Sequence, residues 1–158
     1  WLRAHGLPRP GAIAAMCGAG FVAGGDSIFL APVASGQKAP GVETAGPGPL
    51  PVPYMEGVKL DDPLGYPMSS DEQLRCFPPT LLLAGGRDFA SSMMTTVHRR
   101  LAAVDVYSEL YLFDGLWHGF FVYPDLPESK EAYRLITRFF ERQLGHPAAL
   151  PAGCGAAP

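Results

Sequence analysis

Two short loops hold residues whose types and spacing could do chemistry. One reads Gly85-Gly86-Arg87-Asp88, and the other Asp114-Gly115-Leu116-Trp117-His118-Gly119-Phe120. A carboxylate such as Asp88 can accept a hydrogen bond from one ring nitrogen of a histidine such as His118. That contact fixes tautomer and orientation and stabilises the imidazolium once it forms. The other ring nitrogen is then free to take a proton from a hydroxyl nucleophile. Glycines beside His118 leave room for a substrate and for a tight bend.

Plainer roles compete with these. Asp88 is also a favoured residue for capping the helix that follows it. Asp114 suits a turn, Glu109 a solvated strand position, and His5, His98 and His146 have no partner pattern. Trp117 and Phe120 are candidates for lining an acyl pocket, or they pack the core beside the last helix. The string Gly25-Asp26-Ser27-Ile28-Phe29 begins like a nucleophile turn but lacks a closing glycine, so Ser27 is not expected to be a nucleophile.

Regular elements must hold these loops. Thr80-Leu81-Leu82-Leu83-Ala84 follows a Pro pair, precedes a Gly pair, and reads as a buried strand. A helix fits Ser91 to Ala103, where Met94, Val97 and Leu101 recur at helical spacing. Tyr107 to Phe113 is a second strand, rich in aromatic and aliphatic residues. Glu128 to Leu144 makes an amphipathic helix with Ala132, Leu135, Ile136, Phe139 and Phe140 inward. Upstream, Gly11 to Cys17 suits a strand buried on both faces, and Trp1 to Pro10 the tail of a helix stopped at Gly6. Strands alternating with helices predict an α/β fold with a mainly parallel sheet of about three strands, flanked by helices. Sites in such sheets form at the carboxyl ends of strands, and both loops lie there.

The chain has 158 residues, 19 of them glycine and 17 proline. That Gly and Pro content is roughly twice the usual share. Residues 36–67 therefore read as an irregular, lid-related excursion within a domain spanning 1–145, and residues 146–158 as a disordered tail. A net charge of −3 predicts neither a nucleic-acid surface nor a basic membrane patch. No apolar run reaches the ~18 residues of a membrane span. Three widely spaced cysteines, Cys17, Cys76 and Cys154, show no metal-ligand spacing and suggest a reducing, cytoplasmic setting. The chain opens on Trp1, as a polypeptide would that has lost its start.

The stretch from Phe77 to Gly145 resembles the end of the hormone-sensitive-lipase-like esterases, the α/β-hydrolase fold-3 family. The resemblance rests on Pro78-Pro79-Thr80, Gly85-Gly86-Arg87-Asp88, Trp117-His118-Gly119-Phe120 and the final helix. Asp62-Pro63-Leu64 through Pro67 adds to it, and Trp1 to Ala31 resembles the helix end and strand after the nucleophile. Pro32 to Glu56 has no recognisable counterpart.

The family's Gly-x-Ser-x-Gly elbow and His-Gly-Gly-Gly oxyanion loop are not in the sequence. The resemblance thus implies the C-terminal part of a serine carboxylic-ester hydrolase. Asp88 would be its acid, His118 its base, and a small-molecule ester its substrate, with no metal and no cofactor. The nucleophile is expected before Trp1, which leaves the chain alone inactive. Pairing with an N-terminal half would cover the first strand, and the resemblance also implies a homodimer through the last strand region. The alternative is a non-catalytic remnant of the fold that acts as a binding module.

Overall fold

The computed structural model describes residues 1–18, 22–38, 48–49, 53–145 and 154. A parallel sheet is its centre, built from β1 (Ile13–Met16), β4 (Thr80–Gly85) and β5 (Ser108–Phe113) in the order β1-β4-β5. Two short strands, β2 (Val22–Ala23) and β3 (Gly48–Pro49), pair antiparallel beside it. Four α-helices are described: α1 (Ser27–Ser35), α2 (Asp71–Arg75), α3 (Ser91–Ala103) and α4 (Pro127–Gly145).

Strand β4 is buried along its whole length. Its side chains alternate between two apolar layers, as a pleated strand requires. Leu82 and Ala84 join Met94, Val97 and Leu101 of α3 and Leu74 of α2. Leu81 and Leu83 join Ala132 and Phe139 of α4, together with Phe120. Each face of the sheet is thus covered by a helix whose apolar stripe the sequence pattern predicts. Helix α3 runs over the expected residues and gives way at Asp105, which takes a positive φ of 60°. Helix α4 starts on Pro127, where a missing N–H costs nothing, and carries Glu128 in its first turn.

Three expectations are corrected. Strand β1 packs on both faces, Ala15 against the α3 layer and Ala14 against the α4 layer, but its four residues are only half-buried, because among the described residues it pairs with β4 on one side only. The opening segment is a short 3-10 turn, Arg3–His5, closed by Gly6 at a φ of 65°. The cysteines are not all free, since Cys76 and Cys154 form a disulfide and only Cys17 remains a thiol. Cys154 is buried by that bond. The rest of the expected disordered tail lies outside the described residues.

The irregular region is partly described. It holds 3-10 turns at Pro53–Met55 and Pro67–Ser69 and the two-residue β3. The sequence pattern missed α1, which forms despite Pro32 in its interior, and the five-residue α2. Among the described residues no helix is long and apolar enough to cross a membrane.

Candidate active site

The carboxyl ends of β4 and β5 bring Asp88 and His118 together. The two strands run parallel in register, Gly85 opposite Phe113, so their following loops leave the same edge of the sheet. His118 Nδ1 lies 2.9 Å from Asp88 Oδ1. The same oxygen accepts the Ala90 backbone N–H at 2.7 Å, at the foot of α3. The same carboxylate thus meets both the backbone just ahead of α3, whose N-cap is Ala90, and the imidazole. The carboxylate is fully buried, whereas the His118 side chain is 37% exposed. With Nδ1 on Asp88, Nε2 is the nitrogen left to accept a proton.

Close packing of the loops fixes this geometry. A side chain at Gly85 would collide with the backbone carbonyls of Leu116 and Trp117, and one at Gly86 would press on Asp114. The two glycines therefore let the histidine loop lie directly on the end of β4. Gly86 N–H donates to the Phe113 carbonyl at 2.7 Å and Arg87 N–H to the Leu116 carbonyl at 2.8 Å. On the far side, Gly119 takes the left-handed conformation at a φ of 74° and turns the chain into the Phe120–Val122 3-10 turn. Helix α4 holds that turn: Ser129 Oγ donates to the Phe120 carbonyl and Tyr133 OH to the Phe121 carbonyl.

Two further residues grip His118, and the sequence pattern marked neither. Gln37, in the stretch without a recognisable counterpart, accepts the His118 backbone N–H at 2.7 Å through Oε1. Its Nε2 donates back to the His118 carbonyl at 3.4 Å. The ring of Phe89 stacks on the imidazole, with centroids 4.4 Å apart and planes 19° from parallel. Backbone and ring of His118 are thus held by separate elements.

Cys17 is a third neighbour. It ends β1 with a positive φ of 54° and is buried. Its Sγ accepts the Gly119 N–H at 3.4 Å. Burial, then the hydrogen bond and negative charge of Asp88, push the thiol up to about 12, against a smaller downward pull from the Gly119 and Gly85 amides. At neutral pH Cys17 is therefore a buried thiol, which does not suit a nucleophile.

Ser27 is structural. Its Oγ donates to the Phe89 carbonyl at 2.6 Å and accepts the Ser92 N–H at 3.1 Å, while its own N–H donates to Ser92 Oγ at 3.1 Å. These bonds staple the start of α1 to the start of α3. The acyl-pocket role expected for Phe120 is also corrected. That ring is fully buried with Leu81, Leu83, Ala132 and Phe139, so the packing alternative holds. Trp117 is partly buried and meets Tyr123 edge-on at 5.9 Å. Glu109 is no solvated strand position, because it accepts hydrogen bonds from Tyr107, Tyr111 and Arg142.

Comparison with known proteins supports the α/β-hydrolase fold. A family described as alpha/beta hydrolase fold matches residues 50–122, which include both Asp88 and His118. No curated protein matches. Among solved structures, an esterase from the bacterial hormone-sensitive lipase family is similar at 25% identity and a TM-score of 0.71, over 91% of this chain and 47% of that one. A mutant of the esterase E40 is similar at 26% identity and a TM-score of 0.73, with the same coverage. The esterase E25 is similar at 29% identity and a TM-score of 0.68, over 87% of this chain and 41% of that one. The chain spans about half the length of the structures it matches.

Proposed function

This is a chain of the α/β-hydrolase fold related to the hormone-sensitive-lipase-like esterases, and from that premise we propose that it supplies the acid and the base of a serine carboxylic-ester hydrolase. One observation carries the reading. A fully buried carboxylate orients a part-exposed imidazole at 2.9 Å, at the carboxyl edge of two parallel strands. The nucleophile is a serine on a segment outside this sequence, in a Gly-x-Ser-x-Gly turn. Among the described residues β1 pairs on one side only, and its other edge is where such a segment's strand would pair.

The chemistry follows from the geometry. The serine hydroxyl attacks the ester carbonyl while His118 Nε2 takes its proton. Asp88 keeps Nδ1–H in place and balances the positive imidazolium. Collapse of the tetrahedral intermediate passes that proton to the departing alcohol and leaves an acyl-serine. His118 then draws a proton from water, which attacks the acyl group and releases the acid. The substrate is a small ester with a short acyl chain.

Hydrolysis of p-nitrophenyl acetate tests the reading. The chain alone should give no turnover above background. Joined to a segment bearing the Gly-x-Ser-x-Gly strand, it should turn over, and His118→Ala should abolish that turnover. Turnover that survives His118→Ala would overturn the assignment. A folded, joined protein with no turnover would favour a non-catalytic binding module.

A further inference from the structure

A buried carboxylate oxygen with nothing to bond is costly, because it has lost water and gained no donor. Asp88 Oδ2 is such an atom: it is buried and, among the described residues, has no hydrogen-bond partner, although Asp88 is fully enclosed. Oδ1 already serves His118 and Ala90. The group nearest in chemistry to a partner is the Cys17 thiol. It lies against the carboxylate, whose hydrogen bonding and charge both act on it, yet it leaves Oδ2 without a bond of its own.

The three side chains form a compact donor set. Cys17 Sγ, an Asp88 carboxylate oxygen and a His118 ring nitrogen all lie within 4.8 Å of one another. Thiolate, carboxylate and imidazole are the three ligand types that zinc takes, at bond lengths of about 2.0–2.3 Å. Three ligands about a tetrahedral ion sit roughly 3.5 Å apart at such bond lengths. The Asp88–His118 pair, at 2.9 Å, parts slightly to admit an ion between its two atoms.

We propose that Cys17, Asp88 and His118 form an inhibitory site for a divalent cation of the zinc class. The ion bonds to Sγ, to the Asp88 carboxylate and to Nδ1 of His118. Cys17 gives its proton to solvent, and the His118 proton moves from Nδ1 to Nε2, so one proton is released per ion bound. The bound ion replaces the Nδ1–H···Oδ1 hydrogen bond and leaves Nε2 protonated. The imidazole can then no longer accept a proton from a nucleophile. Binding itself does not depend on the esterase reading, and it is measured without any substrate.

The test uses the 158-residue chain and Co²⁺ as a spectroscopic stand-in for Zn²⁺. Titration should produce a sulfur-to-metal absorption in the near-ultraviolet that saturates at one equivalent and is bleached by added Zn²⁺. Cys17→Ser should abolish that absorption. His118→Ala, at a part-exposed position where folding should survive, should weaken binding by about tenfold or more. Circular dichroism establishes that each variant is folded. No absorption in the folded wild type would overturn the proposal. So would absorption that persists in Cys17→Ser, or an affinity unchanged in His118→Ala.

Discussion

Asp88 Oδ1 takes the His118 Nδ1–H and the Ala90 N–H together, so a single oxygen ties the candidate base to the first turn of α3. Replacing the carboxylate by an amide keeps the shape but allows the wrong ring tautomer. In a form that carries the serine, Asp88→Asn should lower ester turnover by about 10⁴-fold. In the chain alone, the downfield proton resonance of His118 Nδ1–H should disappear from the NMR spectrum. An unchanged resonance would show that Asp88 does not hold the ring.

Gln37 grips the backbone of His118 from the opposite direction. Gln37→Ala should cost about 1 kcal/mol of stability, the usual net contribution of such bonds. The clearer signature is local: the His118 amide should exchange with deuterium faster while the amides of β4 stay protected. Uniform loss of protection across the sheet would mean that Gln37 supports the whole fold rather than the loop.

The layer beneath the site sets its rigidity. Leu82 is fully buried between α3 and the sheet. Leu82→Ala should destabilise by about 2–5 kcal/mol through lost burial and a residual cavity. Urea unfolding measures this directly, and a change under about 1 kcal/mol would contradict the packing described.

Cys17 sets a pH dependence. Its thiol stands at about 12 in the fold, against an ordinary value of 9.0. A group whose value is raised on folding adds stability that is complete below its unfolded value and lost as pH climbs through the folded one. Stability should therefore fall between about pH 9 and about pH 12 by a few kcal/mol. In Cys17→Ser the decline should be shallower. Tyr107 and Tyr111, whose hydroxyls donate to Glu109 and are pushed up by it, account for the slope that remains. Parallel curves for the two proteins would refute the role given to Cys17.

Residues 80–113 were legible in the sequence because their signals are long and local. An apolar run between a Pro pair and a Gly pair gave β4, and a helical repeat gave α3. The loops bearing Asp88 and His118 followed from the ends of those strands. What escaped depends on contacts between distant parts of the chain. Gln37 meets His118 across 81 positions, and Cys17 meets Gly119 across 102. Helix α1 escaped because Pro32 interrupts its pattern. Phe120 was ambiguous because an aromatic ring suits a pocket and a core equally, and only the arrival of α4 decides between them.

On the proposed reading, Asp88 and His118 form the acid–base pair of a hydrolase whose serine is supplied by another segment. Labelling with a fluorophosphonate, which reacts with activated serines, followed by intact-mass measurement, tests it most directly. The account predicts no adduct on the folded chain alone. It predicts one adduct per molecule when the chain is joined to a Gly-x-Ser-x-Gly strand, and none after His118→Ala. An adduct on Ser27 or any other serine of this chain, or labelling that survives His118→Ala, would contradict it.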